Sequence, residues 1–341
     1  MSLEVGLKDV ALRAGVSPAT ASNALSGARP VSEETRQRVF AVAKEMNYRP
    51  NLVARGLRRQ ETRTIALLVA DIANPYYPAV ARAIHDKVGA EGYVSFIGNT
   101  DGDPAAEVRV LEEMRSRAVD GVIMSTMSLR PDRIRSVLGP IIPLVLLTGE
   151  ALTTPDHNTR TLLADEVGTD DAIGIREAVT HLLAKGVRDI GFVSGPANAI
   201  PGANRLLRFR EAMAHHGISV REDWIEFAAG YTLEAGLDAS EKLLARSDRP
   251  RAIMCANDLI AIGVLEAARD NKLTVPDDVA IIGFDDIPTA KHVSPRLTTI
   301  INPATLVGYA CAEALMHRME HPEAPFEHTS LPTHLVVRGT A

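Results

Sequence analysis

The sequence predicts two parts of different fold class. The first is an all-α helix-turn-helix head with a hinge helix, and the second is an α/β core of two doubly wound parallel-sheet lobes. Apolar stripes with helix caps fill residues 7–46, whereas apolar strands alternate with helices twice over residues 64–337. Residues 1–60 hold ten Lys or Arg and five Asp or Glu, a net charge of +5, while the remaining 281 of the 341 residues carry −11. A basic head on an acidic body suits attraction of a nucleic-acid backbone at one end.

Three short helices make up the predicted head. Gly15 ends the first helix, because glycine adopts the left-handed backbone there without a steric penalty. Ser17 caps the second helix with Pro18 at its first position, and Ser32 caps the third. Each helix shows an inward apolar stripe: Leu7, Val10, Ala11 and Ala14, then Ala21, Ala24 and Leu25, then Val39, Val42, Ala43 and Met46. Two short helices joined by a tight glycine turn match a helix-turn-helix.

The second helix is the candidate DNA-reading element. In a helix-turn-helix, the N-terminal residues of this helix face the base edges of the major groove. Asn23 can pair with adenine through both amide atoms, whereas Pro18 and Ala19 offer only apolar contacts, for example to thymine methyl groups. A three-helix cap with solvated polar residues is the alternative. The candidate DNA-contacting residues of the helix are Ser17, Pro18, Ala19, Thr20, Ser22 and Asn23.

Residues 50–62 are expected to form the hinge. Asn51 can cap a short helix, but Gly56 and the neighbouring arginines make that helix weak alone, so it would form on docking. Leu57 lies among arginines, where a leucine wedged between base steps of the minor groove would explain it. A loose linker with one incidental leucine is the alternative. The candidate DNA contacts of the hinge are Asn51, Ala54, Arg55 and Leu57.

The rest of the chain alternates strands and helices, as parallel sheets covered on both faces require. In the first lobe the sequence predicts strands at 64–70, 93–98, 121–125 and 144–147, and helices at 78–91, 105–117 and near Pro131. In the second lobe it predicts strands at 161–164, 189–194, 224–228, 252–255 and 279–284, and helices at 168–185, 204–215, 233–245 and 259–271.

The last part of the chain is expected to cross between the lobes. Residues 297–300 have no evident strand partner nearby in sequence, so the helix at 305–319 is placed on the first lobe and the strand at 331–337 on the second. The expected domains are the helix-turn-helix at 1–49, the hinge at 50–62 and an effector-binding core at 63–341. Within the core, lobe 1 spans about 63–162 plus 292–320, and lobe 2 about 163–291 plus 321–341.

A ligand in such a fold lies outside the carboxyl ends of the strands. The residues past the expected strand ends include carboxylates, amides, tyrosines and Arg205, which together suit the hydroxyl groups of a polar ligand. Taken singly, Asn257 could be a helix cap and Asp285 a turn former. The candidate effector-binding residues are Asp71, Asn74, Tyr76, Asp165, Arg205, Tyr231, Asn257 and Asp285.

Composition excludes several classes of protein. The first residues have neither a basic start nor an apolar run, and no apolar stretch approaches the ~20 residues of a membrane span, so we expect a cytoplasmic protein. Cys255 and Cys311 lie far apart in apolar segments and are expected to be buried thiols. The sequence has no recognisable metal-ligand cluster, glycine-rich phosphate loop or activated nucleophile. We therefore expect no metal, no cofactor and no enzymatic activity.

Motifs across nearly the whole chain resemble those of the LacI (lactose repressor) family. In the N-terminal part they are 7–11, 15–20, 31–36, 47–51 and 54–57, and in the core they are 71–77, 186–195, 204–205, 256–258, 281–286 and 295–300. The resemblance implies a core like that of periplasmic sugar-binding proteins. It also implies that Leu57 is the minor-groove hinge leucine and that Pro18, Ala19 and Asn23 read the operator. Gly6 departs from the family, which usually has a phosphate-contacting Thr there, and Asn23 stands where Arg is common.

By position, the resemblance makes Arg205, Asn257 and Asp285 the central effector contacts, with the other candidates around them. The sequence thus predicts a ligand-responsive transcriptional repressor of a sugar or polyol operon. It would bind a near-palindromic operator as a homodimer, because two-fold protein symmetry requires a two-fold site. A solute-binding receptor is the alternative, but it would have a secretion signal and no basic head.

Overall fold

The computed structural model describes residues 5–27, 29–48, 61–148 and 162–341. The chain divides into two compact units, Met1–Thr62 and Arg63–Ala341. The N-terminal unit contains α1 (Leu7–Ala14), α2 (Pro18–Ser26) and α3 (Glu33–Glu45). None of the described helices is both long enough and apolar enough to cross a bilayer.

The caps of the N-terminal unit follow the sequence signals. Gly15 ends α1 in the left-handed conformation, with φ of 66°. The Ser17 hydroxyl accepts a hydrogen bond from the Thr20 amide at 3.1 Å, and the Ser32 hydroxyl accepts one from the Thr35 amide at 3.3 Å. Buried alanines at the crossings let the three helices approach closely. The buried core of this unit consists of Val10, Ala11, Ala14, Ala21, Ala24, Val39 and Ala43.

The larger unit contains twelve described strands in two sheets. The strands are β1 (Thr64–Val69), β2 (Val94–Asn99), β3 (Gly121–Ser125), β4 (Leu144–Leu147), β5 (Asp165–Asp170), β6 (Ile190–Ser194), β7 (Ile225–Phe227), β8 (Ala252–Cys255), β9 (Ala280–Asp285), β10 (Thr298–Ile301), β11 (His328–Pro332) and β12 (His334–Val336). The first sheet has the order β11-β5-β4-β3-β1-β2 and the second β12-β10-β9-β8-β6-β7. All neighbours are parallel except β10 and β12. The predicted fold class is confirmed.

Helices cover both faces of the sheets. They are α4 (Tyr76–Ala90), α5 (Pro104–Ser116), α6 (Pro131–Leu138), α7 (Asp171–Ala184), α8 (Ile200–His215), α9 (Leu233–Leu244), α10 (Asp258–Asp270) and α11 (Ala304–Glu320). In the first lobe, α4 and α11 share one apolar core with the sheet, while α5 and α6 form another on the opposite face. Cys255 and Cys311 are buried free thiols, as expected.

The start of the second predicted lobe is wrong. The sequence predicts a strand at 161–164 and a helix from 168, but β5 begins at Asp165, α7 begins at Asp171, and β5 belongs to the first sheet. The acidic residues of β5 hide it from a search for apolar runs. Asp165 forms a buried ion pair with Arg318 at 2.8 Å, and Glu166 lies 3.4 Å from His328. These partners compensate for burial of the carboxylates.

The last strands also correct the predicted lobe boundaries. Residues 298–301 do have a neighbour in sequence, since β10 pairs with β9 through a connection that contains only a 3-10 helix, Pro288–Lys291. The strand expected at 331–337 on lobe 2 is two strands, with β11 in the first sheet and β12 in the second. Buried Thr333 separates them: its hydroxyl donates to the Asp170 carbonyl at 2.7 Å and accepts from the Gly174 amide at 3.0 Å. The helix α11 packs on the first lobe, as predicted.

Within the described residues, the chain passes between the lobes at three places: between β5 and α7, between β10 and α11, and between β11 and β12. Side chains of α7 contribute to the core of the second lobe, so the first passage lies between Asp170 and Asp171. The three connecting segments together form a hinge about which the lobes can close on a ligand.

Close contact of α9 with α10 gives a test of the core. A Cβ at Gly263 would lie 2.1 Å from the Leu233 carbonyl oxygen, so Gly263→Ala must push the helices apart and should lower the free energy of unfolding by about 1–3 kcal/mol. Gly89 lies in α4 with no atom within 4 Å of an added Cβ, so Gly89→Ala should be neutral or stabilise by up to about 1 kcal/mol. Urea unfolding of both variants checks this, and equal effects would contradict it.

Candidate functional site

The N-terminal part of α2 forms one wall of a surface concavity in the N-terminal unit. Pro18 and Ala19 are exposed, while Ser22 and Asn23 are half-buried on the same side. Ser17 and Thr20 have a different role, since their hydroxyl oxygens lie 2.9 Å apart within the cap of the helix. Two basic residues that were not candidates, Lys8 and Arg29, also line the concavity. Its complete lining is Gly6, Leu7, Lys8, Asp9, Pro18, Ala19, Ser22, Asn23 and Arg29.

The apolar and amide groups of this lining suit the base edges of a DNA groove, and its cations Lys8 and Arg29 suit the phosphates. The hinge candidates Asn51, Ala54, Arg55 and Leu57 lie outside the described residues.

A second concave site lies between the carboxyl ends of the two sheets of the larger unit. The first lobe contributes Asn74, Tyr76, Tyr77, Ser125, Thr126, Met127, Leu147 and Thr148, and the second contributes Ile200, Pro201, Arg205, Tyr231, Asn257 and Asp285. Residues at or near the passages between the lobes complete the lining: Gly168, Thr169, Asp171, Asn302 and Val307. We call this site the cleft.

Arg205 is the central charge of the cleft. Its Nε donates to Asp171 Oδ2 at 3.2 Å, its Nη1 donates to the Ala256 carbonyl at 2.5 Å, and its Nη2 lies 3.6 Å from Asp285 Oδ1. The guanidinium carbon lies 3.7 Å from the centre of the Phe284 ring. Burial alone would lower the pKa of Arg205, but the two carboxylates raise it above its ordinary value. The guanidinium is therefore charged and fixed in position.

Asp285 lies in a strained turn at the end of β9. Its φ is 114° and that of Asp286 is 52°, both in the region that favours glycine. Asp258 holds this turn, since its buried carboxylate accepts from the Ile287 amide at 2.8 Å and from the Thr299 hydroxyl at 2.5 Å. Burial raises the pKa of Asp285 to about 6, although Arg205 and the hydrogen bond from Asn302 favour the ionised form.

Several polar groups of the cleft have more hydrogen-bonding capacity than the protein uses. The Asn302 Oδ1 and the Tyr231 hydroxyl are buried and have no hydrogen-bond partner. Asn257 caps α10 through its Oδ1 and donates from its Nδ2 to the Tyr231 carbonyl at 3.3 Å, so the helix-cap interpretation and a place in the cleft are both correct for it. Asn74 accepts from the Tyr76 amide at 3.1 Å and also lines the cleft. A ligand with several hydroxyl groups can satisfy such unpaired atoms.

Two candidates do not lie in the cleft. Asp165 is buried at the start of β5, where its oxygens accept from Arg318 at 2.8 and 3.0 Å and from the Glu327 amide at 3.0 Å. It therefore joins β5 to the segment that leads into β11 and is not part of the cleft lining. Asp71 follows β1, but its Oδ1 accepts from the Ala73 amide at 2.8 Å and it is not part of the cleft lining.

The polar residues of the cleft that were not among the candidates are Tyr77, Ser125, Thr126, Thr148, Thr169, Asp171 and Asn302. Ser125, Thr148 and Asn302 stand at or directly after the ends of β3, β4 and β10, so the strand-end rule that found the other candidates would have found them. Asp171 was not recognised as a strand-end residue because the sequence analysis placed the strand at 161–164, before the true β5.

Comparison with known proteins agrees with this arrangement. Residues 6–51 match the family described as bacterial regulatory proteins, lacI family, and residues 179–341 match the periplasmic binding protein-like domain. The ribose operon repressor of Escherichia coli (strain K12) is 33% identical over 336 residues, which cover 98% of this chain and 99% of that protein. The chain belongs to the LacI family. The resemblance seen in the sequence is confirmed, and this LacI-family chain is a DNA-binding transcriptional regulator.

Solved structures show the same fold. The lac repressor dimer bound to operator and the anti-inducer ONPF superposes with a TM-score of 0.86 at 24% identity, covering 99% of each chain. A LacI-family transcriptional regulator from Enterococcus faecium with bound ribose gives a TM-score of 0.69 at 27% identity, covering 82% of this chain and 98% of that one.

The raised pKa of Asp285 predicts a pH-dependent stability. The folded carboxyl holds its proton up to about pH 6 and the unfolded one only to about 3.8, so its stabilising contribution is present below pH 3.8 and is lost as the pH rises to 6. Asp285→Asn removes this titration. The unfolding free energy of the unmodified chain minus that of the variant should fall by roughly 2–3 kcal/mol between pH 4 and pH 7.

Urea unfolding of the ligand-free chain across this pH range measures the difference. Asp132→Asn, which removes an exposed carboxyl, is the control for loss of one surface charge. A constant difference for Asp285→Asn would contradict the proposed titration.

Proposed function

We propose that this LacI-family chain represses a catabolic operon as a homodimer on a near-palindromic operator, under the control of a sugar or polyol in the cleft. In this role it acts in the cytoplasm, needs no metal or cofactor and catalyses no reaction. The alternative of a solute-binding receptor leaves the helix-turn-helix unit without a purpose. The choice of effector rests on the charges and the hydrogen bonds around Arg205.

That balance favours an uncharged ligand. Among the described residues of the cleft, Arg205 is the only Lys or Arg, and two carboxylates and a carbonyl already surround it. A phosphate group would therefore meet a cleft whose ionised groups sum to a negative charge, without a cation left to receive it. Hydroxyl groups instead can donate to Asp285 and the unpaired Asn302 Oδ1 and accept from Tyr231. Ribose, which occurs in the name of one relative and in the structure of another, is the first ligand to test.

The effector also has a physical route to the DNA. Asp171 and Asn302, which line the cleft, stand at two of the passages between the lobes. A ligand that binds them more tightly in the closed cleft shifts the lobes towards closure, by no more than its difference in affinity for the two states. Residues 50–62 directly precede β1 in the sequence, so rotation of the first lobe could be passed on to the proposed hinge.

The edge of the first sheet supports assembly of two copies. β2 is the last strand of that sheet and carries Val94, Phe96 and Ile97, which are 56%, 53% and 50% exposed. Exposed apolar residues on an open edge strand are a liability in a monomer. A second copy of this chain, which presents the same edge, would cover them with two-fold symmetry, as a near-palindromic operator requires.

Arg205 should be needed for the effector response and not for DNA binding. Arg205→Ala leaves Asp171 and Asp285 facing each other without a cation, so we expect loss of D-ribose binding by at least tenfold in isothermal titration, with operator affinity retained. Arg210→Ala, on the same helix, removes only an exposed pair with Glu222 and is the control. An unchanged D-ribose affinity in Arg205→Ala would remove this residue from the site.

The N-terminal concavity predicts two different effects on operator binding. Asn23→Ala should cost about 1–3 kcal/mol on the best operator and relax the preference at one base position. Lys8→Ala should weaken binding to all duplexes alike and reduce the slope of log affinity against log salt by about one. Fluorescence anisotropy with single-base operator variants separates the two outcomes. A uniform loss in Asn23→Ala would show that Asn23 does not read a base.

A further inference from the structure

Glu107 is a fully buried carboxylate in the first lobe that does not line the cleft. Glu107 lies in α5, and its exposed fraction is 0%. Its Oε1 accepts from the Met127 amide at 2.8 Å, and its Oε2 accepts from the Thr126 hydroxyl at 3.2 Å and the Leu129 amide at 3.3 Å. The Ser128 hydroxyl lies 3.4 Å from the same Oε2. All four donors thus belong to the consecutive residues that follow β3.

A carboxylate is suited to this segment because it offers two oxygen acceptors and no donor. Both of its oxygens receive a backbone N–H, so residues 126–129 wrap around it and their carbonyl groups must point elsewhere. Burial raises the pKa of Glu107, and the hydrogen bonds from this segment oppose that rise. Burying this charge costs free energy, which indicates that the conformation of residues 126–129 is important.

One of the outward carbonyl groups reaches the other lobe. The Met127 carbonyl accepts a hydrogen bond from the Ile200 amide at 2.9 Å. Met127 follows β3 of the first sheet, and Ile200 is the first residue of α8, which follows β6 of the second sheet and carries Arg205. The first amides of a helix have no partner within the helix, so this carbonyl caps α8 from across the cleft.

We propose that Glu107 is a positioning residue for effector binding: it shapes residues 126–129 so that the Met127 carbonyl latches the N-terminus of α8 and favours the closed cleft. This deepens the proposed function and rests on it for the identity of the effector. The apparent affinity for a ligand that needs the closed cleft falls with the fraction of protein that is closed. Loss of the latch therefore weakens effector binding even though Glu107 does not line the cleft.

Two substitutions remove the latch from opposite sides. Glu107→Gln keeps the size of the side chain but turns one acceptor into an NH₂ group that faces a backbone N–H. Ile200→Pro removes the donor itself at the first position of a helix, where proline is tolerated. Ala199 already has φ of −87° and ψ of 126°, the extended backbone that precedes proline. The matched control is Glu112→Gln, exposed on α5. Because the Ile200 side chain lines the cleft, Ile200→Ala, which keeps the amide, is the reference against which Ile200→Pro is compared.

The test measures cleft closure in the ligand-free full chain. Spin labels on Arg82→Cys in α4 and Lys242→Cys in α9, both exposed positions, report the distance between the lobes by pulsed electron paramagnetic resonance. The native cysteines are buried, and dilution with unlabelled chain removes signals between copies. We expect Glu107→Gln and Ile200→Pro to give the same displaced or broadened distance distribution. The double variant should add nothing further, because both changes remove one bond.

The controls should keep the parent distribution. Titration with D-ribose should then show about a tenfold or larger loss of affinity in both latch variants. A distribution unchanged in Glu107→Gln and Ile200→Pro, or additive effects in the double variant, would overturn the proposal, even if Glu107→Gln lowers the melting temperature. The distance measurement needs no ligand, so it tests the latch by itself. A failure of D-ribose to bind would count against the proposed effector only.

Discussion

The core depends on one buried cation and the groups that surround it. Arg205 is 9% exposed, and a guanidinium buried in this way is stable only if its charge and its N–H groups have partners. The partners of Arg205 come from three separate places: the start of α7, the end of β9 and the carbonyl that follows β8. They can meet only if these elements end at a common edge. The ion cluster thus requires the parallel topology and also explains why Asp285 takes a backbone conformation that costs energy.

The same cluster links the ligand site with the moving parts. Asp171 is the first residue after the passage from β5, and Asn302, which donates to Asp285 at 3.0 Å, directly follows β10. A ligand that contacts these residues touches two of the passages about which the lobes turn. Tyr231 packs against the apolar cores of both lobes, so the second lobe closes on the first through apolar contact as well as through polar groups. Binding and closure are therefore physically one process.

The sequence predicted those features that depend on local rules. Caps such as Ser17 and Gly15, and apolar strands such as β1 and β3, are local and were found at or near their true bounds. The errors arise where distant partners override the local pattern. β5 is a buried strand with acidic ends because Arg318, far away in sequence, neutralises Asp165. The division of the last residues into β11 and β12 depends on the contacts of Thr333 with Asp170 and Gly174.

The same distinction between local signals and distant partners applies to the candidate site. Arg205, Tyr231, Asn257 and Asp285 were found from strand ends, and the family resemblance supported them. Asp165 was misplaced because its role as an ion-pair partner cannot be read without knowing where Arg318 lies. Glu107 gave no signal at all, since a single glutamate in an amphipathic helix is usually solvated, and only the fold of residues 126–129 around it reveals its role.

The most direct test follows operator binding by the full chain while the ligand is varied. Fluorescence anisotropy on a duplex selected from random sequence, titrated with D-ribose and in parallel with D-ribose 5-phosphate, reports the coupling between cleft and DNA. We expect D-ribose to change operator affinity by about fivefold or more and the phosphorylated sugar to have little effect at the same concentration. Operator affinity that D-ribose leaves unchanged, or that the phosphorylated sugar changes more strongly, would contradict it.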